Sequence, residues 1–121
     1  MSAISKQSEG AIMDAIRKEL GNVRKYGDVA LFRNNTGVLM DENGRRVAYG
    51  LCKGSSDLIG LCRGRFIAIE VKAEDGRETE EQRLFGVGIE RLGGAYCVAR
   101  SVADAVAFVE RVRAEHGRSA A

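Results

Sequence analysis

The chain has 121 residues, with 19 Lys and Arg against 17 Asp and Glu, a formal net charge of +2. That length reads as one domain over residues 1–121, able to bury roughly two-thirds of its unfolded surface and so to fold without disulfide or metal staples. Hydrophobic residues at 45% and charged residues at 30% fit a globular chain. The near-neutral total excludes a strongly basic coat protein while leaving room for a clustered basic surface.

Several other classes fall away. No apolar run approaches 18 residues, so no membrane span is expected. Residues 1–10 are polar, without the apolar core of a signal peptide. Cys52, Cys62 and Cys97 are odd in number and lack C-x-x-C spacing, so they read as reduced packing thiols and point to the cytoplasm. His116 is the only histidine, which argues against a His-based zinc site or a Ser-His-Asp triad.

In chain order, Ile12, Met13, Ile16 and Leu20 fall on one helical stripe and predict a first helix from about Lys6 to Leu20, ended by Gly21 and Asn22. Glu9, three residues before Ile12, sits at the end of that buried stripe. Val29 to Arg33 reads as a short strand. The glycine-rich stretch Asn34 to Gly54 holds a turn at Asp41-Glu42-Asn43-Gly44, across which Val38-Leu39-Met40 and Arg46-Val47-Ala48 can pair as a hairpin. Two strong strands follow, Asp57 to Cys62 and Arg65 to Lys72, then a charged loop, Glu74 to Glu78. A helix from about Glu80 to Leu92 carries an apolar stripe of Leu84, Phe85, Gly88, Ile89 and Leu92 and stops at Gly93-Gly94. Gly86 and Gly88 inside it cost about 1 kcal/mol each relative to Ala and permit close packing on a sheet. Ala95 to Ala99 is a buried strand. A last helix runs from about Val102 to Glu115, with Ser101 as N-cap and Asp104 three residues on. The order α-β-(hairpin)-β-β-α-β-α predicts an α/β fold, a mixed β-sheet flanked by helices.

The chemistry concentrates in the central pair of strands. With Arg63-Gly64 as the turn, Cys62 faces Arg65, Leu61 faces Phe66, Ile59 faces Ala68 and Asp57 faces Glu70; extended further, Ser55 faces Lys72. Alternation puts Leu61, Phe66, Ile59, Ala68, Asp57, Glu70 and Lys72 on one face, apolar at the turn and charged at the open end. Directly opposed side chains have Cβ atoms about 4.5–5.5 Å apart, so two carboxylates there repel. One must take a proton, or a cation must sit between them. Lys72 supplies one positive charge, and hard oxygen ligands suit Mg²⁺ or Mn²⁺ better than zinc. An E-x-K strand by itself is more often a solvated face with an ordinary salt bridge. Against that, Ile67, Ile69 and Val71 make the other face apolar, so the strand reads as central.

The ordered set Glu9, Arg33-Asn34-Asn35-Thr36-Gly37, Gly54-Ser55-Ser56-Asp57, Glu70-Val71-Lys72 and Thr79-x-x-Gln82 resembles the VRR-NUC (virus-type replication-repair nuclease) family of the PD-(D/E)XK nuclease superfamily, in its small stand-alone form of phage and bacterial origin. The resemblance covers about residues 5–100. Ser56, not Pro, precedes Asp57, a relaxed pattern that VRR-NUC members share. The resemblance implies a restriction-endonuclease-like PD-(D/E)XK core. It implies a metal held by Asp57, Glu70, the Val71 carbonyl and, directly or through water, Glu9. Lys72 would orient or deprotonate the attacking water, and Gln82 would support the site from its helix. Mg²⁺ is the implied cofactor, with Mn²⁺ able to substitute and no organic cofactor. The implied activity is hydrolysis of DNA phosphodiesters, with branched DNA such as four-way (Holliday) junctions as substrate. Symmetric cutting of two strands needs two sites, hence a homodimer, with either the segment Val38 to Ala48 or the last helix as interface.

Thr79-Glu80-Glu81-Gln82 also fits a helix capping box, a role Gln82 can combine with the first. Arg33, Asn34, Asn35, Lys53 and Ser55 are the candidate nucleic-acid contacts. Arg45, Arg46, Arg63 and Arg65 read more simply as turn residues that keep the surface charged. Two alternatives stay open: a nuclease of the same fold acting on flaps or duplex DNA, and a non-catalytic DNA-structure-binding module.

Overall fold

Ser8 sets the first helix. Its side chain accepts the Ala11 N–H at 3.1 Å, so in the computed structural model, which describes residues 6–119, α1 runs Glu9–Leu20 instead of starting at Lys6. Ile12, Ile16 and Leu20 are its buried stripe, as their spacing predicts. Asn22 does more than end α1. Its side-chain oxygen accepts the N–H groups of Arg24 and Lys25 and caps a one-turn helix, α2 (Val23–Tyr26), absent from the sequence reading.

The remaining elements are β1 (Val29–Arg33), β2 (Gly37–Met40), β3 (Arg46–Tyr49), β4 (Leu58–Cys62), β5 (Arg65–Val71), α3 (Glu80–Arg91), β6 (Ala95–Ala99) and α4 (Val102–Ser119). Four strands form a mixed sheet in the order β1-β4-β5-β6, with β5 and β6 parallel and the other pairs antiparallel. The parallel pair needs a crossover, and α3 supplies it. β2 and β3 form a separate antiparallel hairpin. The fold is thus α/β, a mixed sheet flanked by helices.

Alternation divides the faces of the sheet. Ile67, Ile69 and Val71 of β5 enter one apolar cluster with Ile12, Ile16 and Leu20 of α1 and Phe108, Val109 and Val112 of α4. On the opposite face α3 packs over β5 and β6. It does so because Gly86 has no side chain: a Cβ there would stand 2.4 Å from the Tyr96 ring. The predicted apolar stripe of α3 is therefore only partly covered. Gly86 is buried, while Leu84 and Leu92 are 54% and 82% exposed. Close approach at the glycine leaves the outer turns overhanging the sheet. Glu9 also departs from expectation. It is the first residue of α1 and exposed, because the buried stripe begins one turn later at Ile12.

At the turn end of the sheet, an ion network ties α4 to β1. Arg113 donates to both carboxylate oxygens of Asp28, at 2.6 and 2.9 Å, and Arg63 donates to the same carboxylate at 2.8 Å. The Arg113 guanidinium also lies over the Tyr26 ring, 5.0 Å from its centroid. Arg113 holds the Asp28 carboxyl at about 2, below the usual carboxylate range. A depressed pKa stabilises the fold above its unfolded value and loses that contribution as pH falls through the folded one. Asp28→Asn is therefore expected to cost about 1–2 kcal/mol at neutral pH. Urea titrations should show its gap from the unsubstituted chain closing as the pH approaches 2.

Candidate active site

The turn Arg63-Gly64 has positive φ at both residues, 51° and 82°. That is the geometry of a tight two-residue hairpin whose twist matches its strands. It sets the register Cys62↔Arg65, Leu61↔Phe66, Gly60↔Ile67, Ile59↔Ala68 and Leu58↔Ile69, with β1 alongside. The face opposite the core is thus built in rows. Ala30, Leu61 and Phe66 form the row nearest the turn, and Phe32, Ile59, Ala68 and Tyr96 the next.

The third row holds the chemistry. Asn34 extends the β1–β4 pairing by donating its N–H to the Asp57 carbonyl at 2.8 Å. Glu70 pairs with Val98 on the far side. The β4–β5 ladder, however, ends at Leu58↔Ile69. Asp57 Oδ2 instead accepts the Val71 N–H at 2.9 Å, so a side chain takes the place of the next main-chain acceptor. The expected continuation to Ser55↔Lys72 does not form. Lys72 donates its N–H to Ala99 across the parallel pair.

Glu70 is 2% exposed, and its carboxyl lies within hydrogen-bonding reach of Asp57. Its Oε1 accepts Gln82 Nε2 at 2.9 Å and stands 3.7 Å from Lys72 Nζ. Its Oε2 is buried with no hydrogen-bond partner. Burial, with the Asp57 charge second, pushes the Glu70 carboxyl up to about 8, and Lys72 only partly offsets this. Lys72 is itself 9% exposed. A buried carboxylate with one unpartnered oxygen demands a proton or a cation. The set Asp57, Glu70 and the Val71 carbonyl offers hard oxygen donors that fit Mg²⁺ or Mn²⁺. The Val71 side chain is in the core, so its carbonyl is what it can offer.

Glu9, the remaining expected metal contact, is exposed. Its Oε1 lies beside Gly76 and the Lys72 side chain: a Cβ on Gly76 would lie 3.4 Å from both Glu9 Oε1 and Lys72 Cβ.

Gln82 completes the expected capping box and also reaches Glu70. Its Oε1 accepts the Thr79 N–H at 2.8 Å while Thr79 accepts the Gln82 N–H, completing a capping box, and its Nε2 holds Glu70. Gly54, at φ +85°, allows the loop to abut α3, since a Cβ there would stand 2.6 Å from the Glu81 backbone.

Two of the expected nucleic-acid contacts, Asn34 and Ser55, make internal hydrogen bonds. Asn34 Nδ2 donates to Ser55 Oγ at 2.8 Å and to the Ser56 carbonyl at 2.9 Å. Buried Ser55 donates its hydroxyl to the Cys52 carbonyl at 2.8 Å. These bonds clamp the segment that carries Asp57. Arg33, Asn35 and Lys53 are exposed. Lys53 Nζ lies 3.3 Å from Glu81. Arg33 pairs with Leu58, so alternation turns it to the face opposite Asp57.

Three neighbours escaped the sequence reading. Tyr96 donates its hydroxyl to Glu78 at 2.6 Å beside Glu70. Its period-2 spacing from Val98 was the available signal. Arg100 donates to the carbonyls of Ala73, Glu74 and Gly76, pinning the loop after Lys72, a contact without a sequence signature. Lys6 pairs with Asp75 on that same loop.

No protein-family model matches the chain, and no curated protein matches it in sequence.

A carboxyl whose folded pKa is raised stabilises fully below its unfolded value of 4.5 and loses that contribution as pH rises toward about 8. In chelator-treated protein, stability should therefore fall across that window by about 1 kcal/mol per pH unit from Glu70 alone. Glu70→Gln removes the slope while keeping the acceptor for Gln82. Denaturant titrations at pH 5 and pH 8 should find the variant the more stable of the two proteins at pH 8. An unchanged slope in the variant counts against a protonated Glu70.

Proposed function

We propose that the chain is a metal-dependent DNA endonuclease with a PD-(D/E)XK core of the VRR-NUC type. It hydrolyses phosphodiester bonds in branched DNA such as four-way junctions and works as a homodimer. The observation that carries this reading is the Asp57–Glu70 pair, with Glu70 buried, its Oε2 unpartnered and Lys72 beside it. A DNA-binding module has no use for a carboxylate pair that repels both itself and phosphate. A hydrolase does, because the pair concentrates a divalent cation where the phosphate must lie.

Asp57, Glu70 and the Val71 carbonyl would hold Mg²⁺, with Mn²⁺ as substitute. A divalent cation there supplies Lewis acidity toward the phosphate and eases deprotonation of water. The chain's own residues do the rest. Gln82 fixes the Glu70 carboxylate through the 2.9 Å hydrogen bond. Asp57 is oriented by the Val71 N–H, and its backbone is anchored by Asn34. Lys72 orients the attacking water and offsets negative charge as it develops on the phosphate. Exposed Arg33, Asn35 and Lys53 supply phosphate contacts away from the reacting atoms.

The test is cleavage of a labelled panel (four-way junction, flap, nicked duplex, linear duplex, single strand) in Mg²⁺, Mn²⁺ and EDTA. Paired, metal-dependent cuts placed symmetrically across the junction are expected. Glu70→Ala and Lys72→Ala should lower the rate by about 10²-fold or more while leaving DNA affinity intact. Cuts confined to flaps or linear duplex would keep the nuclease and discard the junction. Tight binding without any cutting would make the protein a binding module.

A further inference from the structure

The row that carries Glu70 does not end at the carboxylates. It runs on to Val98, on the edge strand β6, and Val98 is one wall of a cavity of about 420 Å³. Three exposed arginines line the same cavity: Arg77 from the loop before α3, Arg83 from α3 itself, and Arg100 from just beyond β6. None of the three is among the nucleic-acid contacts expected from the sequence. The cavity adjoins the site on three sides. Val98 is the strand neighbour of Glu70. Thr79, another wall, caps the helix whose Gln82 holds Glu70. Arg100 donates Nη1 to the carbonyls of Ala73, Glu74 and Gly76, on the loop that leaves Lys72.

The charges of the cavity select an anion. Its two carboxylates are already engaged: Glu78 accepts the Tyr96 hydroxyl at 2.6 Å, and Glu80 accepts Arg83 at 2.6 and 2.9 Å. The Arg83–Glu80 pair is 52% and 66% exposed. Pairs so exposed hold weakly, so a phosphate can take Arg83 over. Arg77 has no partner among the described residues, and Arg100 uses Nη1 alone. A guanidinium fork suits phosphate oxygens. A peptide strand is disfavoured as occupant. Glu90 accepts the Tyr96 N–H at 3.1 Å, Arg111 donates to the Tyr96 carbonyl at 3.4 Å, and Asp104 accepts the Arg100 N–H at 2.8 Å. Side chains thus fill the edge of β6 on either side of Val98 and leave no ladder for a strand to join.

We propose that this cavity takes a backbone phosphate of the DNA strand being cut, a neighbour of the phosphate at the carboxylates, through Arg77, Arg83 and Arg100. The inference rests on the nuclease reading above and gives the side on which the strand leaves the site. On the β1 side, Asn34 and Ser55 are bonded internally, and Arg33 turns to the opposite face. On the β6 side the arginines are free to meet a ligand. Neighbouring strands lie about 4.8 Å apart, so the space over Val98 is a single strand spacing beyond Glu70, within reach of the same DNA backbone. Such contacts fix the register of the DNA without reading its sequence.

Fluorescence anisotropy of a labelled four-way junction and a labelled linear duplex, in EDTA across a salt series, tests this without any cleavage step. Arg77→Gln and Arg83→Gln are each expected to lower the slope of log K against log salt by about 1 and to weaken binding to both DNAs alike. Lys18→Gln, exposed on α1 across the sheet, should change neither. All three positions are exposed, so circular dichroism should stay unchanged. Slopes that survive both arginine substitutions overturn the proposal, while DNA binding itself leaves the nuclease reading to the cleavage panel. An equal loss in Lys18→Gln reports overall charge only and overturns it as well. A melting temperature raised by inorganic phosphate, and no longer raised in Arg77→Gln, gives the cavity to a free anion and overturns it too. The expected slopes in a protein that cuts none of the panel support the cavity and reject the catalytic reading, so the two are judged apart.

Discussion

A carboxyl group shut away from water at the end of a sheet, Glu70, with the Asp57 carboxylate beside it, is the constraint around which this molecule is arranged. Burial of Glu70 costs free energy that no neighbouring residue fully returns: Lys72 and Gln82 both attend Oε1, and Oε2 is left bare. The surrounding features make that burial tolerable. The β4–β5 ladder stops one pair early so that the Asp57 side chain can accept a peptide N–H. The loop before Asp57 presses on α3 through Gly54, and α3 presses on Tyr96 through Gly86. A side chain at either glycine would lift the helix and take Gln82 away from Glu70. Stability is thus locally surrendered to hold a charge arrangement that a purely structural sheet end would have no reason to keep.

What could be read in the sequence follows from how local its cause is. The strand register was legible because a two-residue turn leaves no freedom, and five cross-strand pairs follow from Arg63-Gly64. The buried face of β5 was legible from Ile67, Ile69 and Val71 at period 2. The capping box at Thr79 was legible because both partners lie within three residues. Less could be read where long-range geometry decides. Glu9 fits a helical stripe by spacing, but Ser8 starts the helix beside it and leaves the side chain in solvent. Asn34 and Ser55 look like phosphate contacts in a polar, glycine-rich loop. They face each other only because β1 pairs with β4, a contact between segments 21 residues apart. Arg100 meets the loop after Lys72 across 24 to 27 residues, with nothing in either segment to announce it.

The basic residues of the middle segment divide along the same line. Arg63 is bound to Asp28, and Arg65 to the carbonyls of Gly93 and Gly94 and to Glu115. Both therefore brace the turn end of the sheet, far from the third row. The cations left exposed near the open end, Arg33 and Lys53, flank the clamped Asp57 segment instead of entering it. Positive charge is thus graded along the sheet. It is structural at the turn and solvent-facing towards the carboxylates, and it is buried at Lys72, beside Glu70.

Gln82 shows how the fold and the site limit each other. A capping box accepts Glu or Gln at its third helical position, because either supplies an oxygen to the N-cap peptide. Here the oxygen accepts the Thr79 N–H, and the amide nitrogen is turned to Glu70. Glu at this position would cap the helix equally well, yet it would set another negative charge against a carboxyl already raised by burial and by Asp57. The helix start admits two residues and the carboxylate admits one, so the choice of amide over acid at this position is made by the site. That choice is also visible in the sequence: the first turn of α3 carries Glu80 and Glu81, as favours a helix N-terminus, and departs from acid only where the side chain turns inward to Glu70.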